Sequence, residues 1–557
     1  MATNQPEVHE LRDLHSVAFP TLTPDQIEEL GSCSTAAAKT YHEGDILFKV
    51  GDRDFKFFVI RKGEVEIIDS TGDTPKIVTV HRAGGFTGDI SHLTGLPSIV
   101  TAKALGDCEV YEISGDSLRR VLNQCPVLSD ILLQAFIARR QLLRESPDFT
   151  GLRVIGSSYS HDAFRIRDFL AKNRLLFTWV DVENDPQVHT LLKEFGITEA
   201  DTPVVACGRM LLLRNPSNRE LADATGIHRP LEQNAYDLVI AGGGPAGLAA
   251  AVYGASEGLK TVVLERTAPG GQAGMSMRIE NYLGFPTGLT GGELAGRALI
   301  QANKFGARMS IPSGVSSLNL EGQYPVINTD DGATITARAL LIATGAAYRR
   351  LNVDGCERFE GSGVYYAATP MEAKMCRGSE VIVVGGGNSA GQAAVFLSGE
   401  VRKVWHIIRG NDLNKNMSTY LALRIEQTPN IKLLTNTSIT QMHGDTHLES
   451  VEVHNSVTGE DRTITTPAVF SFIGADPRTD WLPAEIEKDS KGFIRTGPSL
   501  ATSAYWTMAR QPFLLETSRP GVFAAGDVRS GSAKRVAAAV GEGSMAVQLV
   551  HEYLKQV

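Results

Sequence analysis

The sequence is poor in cysteine and has fewer basic than acidic residues. It holds 6 cysteines, and 54 Lys and Arg against 63 Asp and Glu give a formal net charge of −9. No Cys-x-x-C pair occurs, which excludes a local dithiol and the usual zinc spacing. The acidic balance argues against a nucleic-acid-binding or anionic-membrane surface. We therefore predict no metal site, no nucleic-acid partner and no membrane partner.

A leader segment and long hydrophobic runs are also missing. The start of the chain has no basic stretch followed by an apolar core, so we predict no secretory signal. Residues 238–259 carry a single charge, Glu257, but their glycine cluster suits a turn between a strand and a helix better than a membrane span. Without an export signal, we expect a cytoplasmic protein with reduced cysteines.

The most specific pattern present is a glycine turn in YDLVIAGGGPAGLAAAVYGASEGLKTVVLER, which predicts a strand, a turn, a helix and a second strand. Gly242, Gly244 and Gly247 form G-x-G-x-x-G, and Glu265 ends the second strand. Such glycines let the backbone approach a pyrophosphate at the helix N-terminus, and the acid accepts hydrogen bonds from ribose hydroxyls. The stretch therefore predicts a dinucleotide site.

A second copy of the pattern occurs in SEVIVVGGGNSAGQAAVFLSGEVRKVWHIIRG. Gly385, Gly387 and Ala390 form G-x-G-x-x-A, and the second strand ends in Arg409 rather than in an acid. A cation there suits the 2′-phosphate of NADPH, which an acid would repel. We predict NADPH in preference to NADH. The alternative is that this stretch only packs a helix on a strand and binds no nucleotide.

Three further motifs lie around these units: PGGQAGMSMRIENYLGFP (269–286), LLIATGAAYR (340–349) and PGVFAAGDVRSGSAKRVAAAVGEG (520–543). In this order they closely resemble the thioredoxin-reductase family of flavoenzymes. With the first glycine unit, the resemblance implies an FAD site made of Gly242, Gly244, Pro245, Ala246, Gly247, Glu265, Arg266, Gly271, Gln272, Asn281, Ala343, Thr344, Gly345, Gly526, Asp527, Arg535 and Val536. With the second unit, it implies an NADPH site made of Gly385, Gly387, Asn388, Ser389, Ala390, Arg409 and Gly474.

The resemblance also implies a layout. The FAD-binding domain, residues 235–352, is interrupted by an NAD(P)H-binding domain, residues 353–477, and resumes at 478–557. It further implies a homodimer formed through this flavoprotein part. In the family a Cys-x-x-C pair on the NADPH domain receives electrons from the flavin, but GVYYAATPMEA carries Ala367 and Pro370 there. We therefore expect NADPH to reduce FAD without internal transfer to a disulfide.

Residues 1–147 resemble a cyclic-nucleotide-binding domain, a small β-roll closed by helices. Its phosphate cassette would lie at residues 86–104, where Asp89 replaces the ribose-binding glutamate of the family and Ser98 stands in place of the arginine. A serine cannot neutralise a buried phosphate. We therefore expect weak cyclic-nucleotide binding or none, and a structural or differently liganded domain.

Residues 151–228 show a βαβαβ order that resembles a glutaredoxin or thioredoxin fold, with Thr202-Pro203 at the place of that fold's cis-proline. Ser157 and Ser160 stand where the redox dithiol would be. A hydroxyl cannot perform thiol-disulfide exchange. We predict a redox-silent domain whose serines cap a helix.

The predicted fold is multidomain α/β: a β-roll with helices, a thioredoxin-like domain and two Rossmann-like three-layer nucleotide-binding domains. The leading function is an NADPH-dependent FAD oxidoreductase whose acceptor is a small molecule, a quinone, a redox protein or oxygen. One alternative is a disulfide reductase using distant or partner thiols, and another is a non-catalytic flavin sensor. At the C-terminus, His551 or Tyr553 is either a cover for the flavin face or part of a packed helix end.

Overall fold

The structure is a computed structural model that describes residues 13–69, 75–145, 152–185, 188–207, 211–231 and 233–557. Within these ranges no helix combines the length and the apolar character needed to cross a membrane. The elements follow one another in three blocks, each with its own sheets.

The first block is a β-roll closed by helices, as predicted. Its strands are β1 (Ala38–Tyr41), β2 (Ile46–Phe48), β3 (Phe57–Lys62), β4 (Val65–Asp69), β5 (Lys76–His81), β6 (Thr101–Ala104) and β7 (Cys108–Ile113), and its helices are α1 (Leu14–Ala18), α2 (Pro24–Ser34), α3 (Ser91–Thr94), α4 (Gly115–Gln124) and α5 (Pro126–Glu145). They form two antiparallel sheets, β1-β7-β3 and β2-β6-β4-β5. Pro126 separates α4 from α5, because proline is tolerated in the first turn of a helix but not in its interior.

The second block has the predicted thioredoxin-like order. Its elements are β8 (Leu152–Gly156), α6 (His161–Lys172), β9 (Phe177–Asp181), α7 (Val188–Phe195), β10 (Val204–Cys207), β11 (Leu211–Arg214) and α8 (Asn218–Thr225). The sheet order is β11-β10-β8-β9, with β8 and β9 parallel. Ser160 caps α6 by accepting a hydrogen bond from the Ala163 N–H at 3.2 Å, so this predicted cap is present. The Thr202-Pro203 peptide bond is cis.

The third block opens with a mixed sheet. Its first elements are β12 (Ala235–Ala241), α9 (Pro245–Ser256), β13 (Thr261–Leu264), α10 (Gly291–Phe305), β14 (Arg308–Ser310), β15 (Val315–Asn319), β16 (Val326–Thr329) and β17 (Thr334–Ile342). The order is β14-β13-β12-β17-β16-β15. In this sheet β12, β13, β14 and β17 run parallel, and β16 pairs antiparallel with β15 and β17. The last four residues of β12 are fully buried, as expected for a central strand covered on both faces.

A parallel sheet is inserted before the first sheet is complete. The following elements are β18 (Ala346–Tyr348), β19 (Val364–Tyr365), α11 (Pro370–Met375), β20 (Glu380–Val384), α12 (Asn388–Ser398), β21 (Lys403–Ile407), α13 (Thr419–Gln427), β22 (Ile431–Leu434), β23 (Thr437–Gly444), β24 (Leu448–Asn455), β25 (Asp461–Thr465), β26 (Val469–Ser471), β27 (Ala475–Pro477), β28 (Val522–Ala524) and α14 (Val536–Leu554). The inserted sheet has the order β19-β26-β20-β21-β22. β28 pairs with β17 in parallel, so the C-terminal part of the chain completes the earlier sheet.

The first two blocks pack directly on the third. The Lys304 side chain at the end of α10 donates a hydrogen bond to Ser129 on α5 at 3.0 Å. The Asn173 amide, just after α6, donates to the Thr267 carbonyl at 2.9 Å. These contacts bring α5 and the end of α6 to the side of the sheet where the first glycine turn lies.

Candidate active site

A cavity of about 1200 Å³ lies between the two glycine turns. Most of the residues predicted to bind FAD line it: Gly242, Gly244, Pro245, Ala246, Glu265, Gly271, Gln272, Asn281, Ala343, Thr344, Gly345, Gly526, Asp527, Arg535 and Val536. They come from segments far apart in the chain and meet because β12, β17 and β28 are neighbours in one sheet. The cavity is large enough for extended nucleotide ligands.

The first glycine turn presents open backbone to this cavity. Gly242 has a φ of 108°, and a Cβ there would overlap the Ala343 carbonyl. Gly244 caps α9, and a Cβ on it would meet no atom within 4 Å. The N-terminus of α9 therefore faces free space, as an anion site at a helix N-terminus requires. The residues present fit the pyrophosphate of a dinucleotide.

Two residues predicted for the FAD site do not line the cavity, Gly247 and Arg266. A Cβ on Gly247 would overlap the Gly242 carbonyl, so this glycine allows α9 to pack closely on the turn. The Arg266 side chain lies 3.6 Å from the Asp330 carboxylate and also donates to the Val315 carbonyl. Gly247 therefore shapes the turn, and Arg266 contacts the strand region beyond it.

Glu265 connects the glycine turn with the segment that follows β13. One carboxylate oxygen accepts from the Gly243 N–H at 2.6 Å, and the other accepts from the Thr267 N–H at 2.8 Å. The residue also lines the cavity. A carboxylate held by backbone donors at this edge is placed to accept hydrogen bonds from ribose hydroxyls.

Asp527 lines the cavity from the segment between β28 and α14. Burial raises the pKa of its carboxyl, and the nearby Lys534 ammonium opposes this effect. Lys534 also donates to the Asp527 carbonyl at 2.5 Å. Arg535 caps α14 and Val536 begins it, so the N-terminus of a second helix points toward the cavity.

The second glycine turn reaches the same cavity only through the start of α12. Asn388 and Ser389 line the cavity. Gly385, Gly387, Ala390, Arg409 and Gly474 do not. A Cβ on Gly385 would overlap the Phe472 carbonyl, whereas one on Gly387 would meet nothing within 4 Å. This turn therefore has the same open helix N-terminus as the first.

His406 contacts the second turn and was not identified from the sequence. It is fully buried on β21, and its Nε2 lies 2.7 Å from the Gly385 carbonyl oxygen. Burial lowers its pKa, and the Gly385 contact opposes this shift. A buried polar residue in an otherwise apolar strand was the available signal.

The cavity wall also includes side chains from the first two blocks, which the sequence did not assign to the site. Ile137, Arg140 and Gln141 come from α5. Lys172 is the last residue of α6, and Arg174 follows the helix. Nothing in a local motif encodes how separate blocks dock. The basic members of this group add positive charge to a site expected to hold phosphate.

The segment that carries the family's dithiol positions adjoins the cavity. Pro370, the first residue of α11, lines it, and Ala367 does not. None of the described cysteines lines it. Cys376, the nearest in sequence, is buried in the core of the inserted sheet, and burial raises the pKa of its thiol to about 12. A thiol so protonated is a poor nucleophile.

Two cysteines of the first block are joined, contrary to the expectation of reduced thiols throughout. Cys33 on α2 and Cys125, between α4 and α5, form a disulfide. They lie 92 residues apart in sequence and meet because α2 packs on α4. With Glu29 they form the only potential metal-ligand group found among the described residues. Sulfur atoms bound to each other are not thiolate ligands, and the group supports no metal site.

The C-terminal residues pack as a helix end and do not cover the cavity. Tyr553 is buried, with its ring 6.3 Å from that of Phe523, and His551 pairs with Glu257 at 2.9 Å. Neither residue lines the cavity. The idea that this tail covers the flavin is therefore wrong, because α14 continues to Leu554 and packs Tyr553 into the core beside β28.

Comparisons with known families match two regions of the chain. Residues 236–543 match the family described as pyridine nucleotide-disulphide oxidoreductase. Residues 38–125 match the cyclic nucleotide-binding domain. The first match covers more than half of the chain and includes both glycine turns.

The curated relatives and solved structures cover the same part. The thioredoxin reductase of Treponema pallidum is 35% identical over 319 residues, 57% of this chain and 97% of the relative. That of Mycolicibacterium smegmatis is 36% identical over 314 residues, 56% of this chain and 95% of the relative. The crystal structure of Lactococcus lactis thioredoxin reductase has a TM-score of 0.52 at 30% identity and covers 58% of this chain and 100% of that one.

Proposed function

Because the chain belongs to the pyridine nucleotide-disulphide oxidoreductase family, we propose that it transfers electrons from NADPH through FAD to an acceptor that is not a disulfide. The predictions of a thioredoxin-reductase-like fold and of an FAD-dependent NAD(P)H oxidoreductase are confirmed. The acceptor and the roles of individual residues are the subject of the proposal.

The observation that carries the proposal is the wall of the cavity next to α11. Pro370 stands there, and no described cysteine does. Its ring carries no redox-active atom, and Thr369 and Glu372 hold the start of α11 in a capping box. An acceptor that reaches the cavity would therefore exchange electrons with the cofactor itself.

The chain's own groups bind and orient the cofactors. FAD and NADPH supply the hydride chemistry when bound. We propose that Gly244 and the N-terminus of α9 bind the FAD pyrophosphate, that Glu265 accepts from ribose hydroxyls, and that Asp527 contacts the linker of FAD. Asn388 and Ser389 lie where the second nucleotide unit meets the FAD cavity, which supports a role in positioning NADPH.

Arg409 is the proposed determinant of NADPH preference. It is exposed two residues after β21, on the side of the sheet where α12 begins. An exposed guanidinium is free to bind a 2′-phosphate by charge-assisted hydrogen bonds.

We also propose a homodimer through the flavoprotein part, which gel filtration with light scattering tests.

One observation favours a second candidate, a dithiol relay from distant cysteines. Cys33 and Cys125 are already joined and could in principle be reduced. They lie in the core of the first block beside Leu118 and Leu128 rather than at the cavity. The geometry therefore supports direct transfer to an external acceptor better than this relay.

Anaerobic reduction by NADPH distinguishes the two candidates. We expect the flavin absorbance to bleach with no new free thiols, and turnover to follow with a quinone, a small-molecule dye, oxygen or a redox protein. Thiols are counted before and after reduction in wild type and in Cys33→Ser. Two new thiols in wild type that disappear in Cys33→Ser would contradict the proposal and establish the relay.

A further inference from the structure

Helix α5 stands between two cavities. One is the active-site cavity, which Ile137, Arg140 and Gln141 line from one side of the helix. The other is a cavity of about 370 Å³ inside the first block, which Arg139, Leu142 and Leu143 line from the other side. A single helix thus forms part of the wall of both.

The smaller cavity is apolar over most of its lining. Aromatic and aliphatic side chains from the β-roll surround it, among them Phe19, Phe48, Phe55, Ile67 and Val100. Its volume is within the range of small-molecule sites. Such a wall favours a ligand with an apolar body.

Arg139 places a cation in this apolar setting. The residue is only 6% exposed. Its Nε donates to the Ala18 carbonyl at 2.7 Å and its Nη1 to the Gly88 carbonyl at 2.6 Å, and its charge lies 4.6 Å from the centre of the Phe86 ring. Its Nη2 is buried and has no hydrogen-bond partner among the described residues.

A buried guanidinium with an unused N–H group costs free energy unless an anion satisfies it. Burial lowers the pKa of Arg139 to about 9, which records the same cost. The Asp89 carboxylate opposes this shift, but its ion pair is with Arg140, whose Nη1 lies 3.5 Å from the Asp89 Oδ2. The unused donor therefore points to a missing anion.

The groups expected to bind a cyclic nucleotide are otherwise engaged. Ser98 is buried and donates to the Val100 carbonyl at 2.7 Å. Asp89, at the place of the ribose-binding acid, accepts from the Ser91 N–H at 2.9 Å and pairs with Arg140. The cavity thus keeps a cation for an anionic group, and its lining also includes the Asp69 and Asp89 carboxylates.

We propose that this cavity binds a small organic carboxylate with an apolar body, held by the guanidinium of Arg139, and that α5 transmits its binding to the active-site cavity. The route is short. Arg139 is bonded to Gly88, Gly88 precedes Asp89, and Asp89 pairs with Arg140 in the wall of the active site. A ligand that repositions Arg139 changes these contacts, and an effect follows if the two arrangements differ in affinity for the cofactors.

Binding is tested by calorimetry on the FAD-loaded protein. The probes are 4-phenylbutyrate, octanoate and indole-3-acetate, with 4-phenylbutanol as the uncharged match of the first and cyclic AMP as a phosphate anion. We expect at least one acid to bind, 4-phenylbutanol to bind about tenfold or more weakly than 4-phenylbutyrate, and cyclic AMP to bind more weakly than that acid. Binding of none of the acids at millimolar concentration, or equal binding of acid and alcohol, overturns the anion site. Binding of cyclic AMP alone overturns the ligand class.

Variants separate a folding defect from a lost site. Arg139→Met should abolish acid binding, and Val78→Trp, at the exposed mouth of the cavity, should do so while leaving Arg139 in place. Arg82→Met is the matched control, because Arg82 is exposed and pairs with Glu64. Unchanged binding in both Arg139→Met and Val78→Trp contradicts the site.

A separate measurement tests whether α5 transmits acid binding to the active-site cavity. The flavin absorbance and fluorescence of the resting protein should change on acid binding in wild type and in Arg82→Met, and not in Val78→Trp. Because no turnover is measured, this result does not depend on the identity of the electron acceptor. Acid binding that leaves the flavin spectrum unchanged would overturn the transmission and leave the anion site standing.

Discussion

The two glycine turns of the third block are built alike, and three of their differences bear on how each turn works. Both have an N-cap glycine with open space beside it, Gly244 in the first turn and Gly387 in the second. In both, the first turn amide donates to the end of the next strand, Gly242 to Leu264 at 2.8 Å and Gly385 to Ile407 at 3.0 Å. The shared features are those that bring a backbone close to phosphate.

The differences show how each turn is fitted to its surroundings. The third small residue is Gly247 in the first turn and Ala390 in the second. A buried valine, Val263, stands one residue before the end of β13, where β21 has His406. Glu265 follows β13, whereas an apolar residue and then Arg409 follow β21. Separate residues therefore set three properties of each turn: how closely the helix approaches it, which side chain supports it, and which charge lies near the expected ribose.

The largest effect is expected from Gly247→Ala. A Cβ at this position would overlap the Gly242 carbonyl, so α9 must move away from the turn or the turn must open. We expect most of the bound FAD to be lost. The FAD to protein ratio of the purified variant, from its absorbance spectrum, measures this. An unchanged ratio would mean that the turn relaxes without cost.

Arg409→Glu is expected to have the next largest effect. Loss of a charge-assisted phosphate contact and the added repulsion should lower the preference for NADPH over NADH about ten- to a hundredfold. The ratio of kcat/KM for the two nucleotides measures it. Arg402→Glu is the control, because Arg402 is exposed near the other end of the strand and pairs with Glu380. If Arg402→Glu shifts the ratio equally, general surface charge explains the effect.

Ala390→Gly is the reverse of the first substitution, made at the matching position of the second turn, and it sharpens the first prediction. The second turn already accepts a methyl group here, so removing it relieves no overlap. The expected loss is about 1 kcal/mol of stability from helix propensity, with little change in nucleotide affinity. Thermal unfolding and the KM for NADPH measure the two quantities. A large rise in KM would show that the methyl group itself supports the nucleotide site.

Most of the fold was predictable from sequence, because strand, turn and helix patterns are local. The glycine turns, the capping by Ser160 and the thioredoxin-like order are encoded in short segments. The way in which the three blocks pack on one another is not encoded in short segments. Arg139 lies on a separate helix from the cassette whose cavity it lines, and nothing in its helical context marks it as a site residue.

The thioredoxin-like block and the β-roll each lack a residue that their family uses, and a comparison of the two makes the same point. In the thioredoxin-like block, the turn that lacks cysteine is capped and covered, with Tyr159 stacked on His447 at 4.5 Å and Phe164 against Tyr365 at 5.5 Å. In the β-roll, the cassette that lacks arginine still borders a cavity with a buried cation. Both losses were visible in the sequence. Only the packing shows that residues of the third block contact the first turn and that a buried arginine lines the cavity beside the second cassette.

The remaining prediction concerns acid stability and His406. Burial lowers its pKa, so the folded chain keeps the ring neutral while the unfolded chain takes up a proton as the pH falls below about 6.5. Its contribution is therefore complete above that pH and is lost on acidification, by up to about 1.4 kcal/mol per pH unit, until the lowered pKa is reached.

His406→Gln keeps an N–H donor for the Gly385 carbonyl and does not titrate. The midpoint of thermal unfolding, measured between about pH 7.5 and about pH 5.5, should fall less in this variant than in wild type. Val263→Thr is the control at the matching position of the first turn, since it adds a buried polar group without a titrating one. Buried His81 and His92 remain in both variants, so the difference from wild type isolates His406. Parallel curves for wild type and His406→Gln would show that folding leaves the pKa of His406 unshifted, and the neutral support of the second turn would then be wrong.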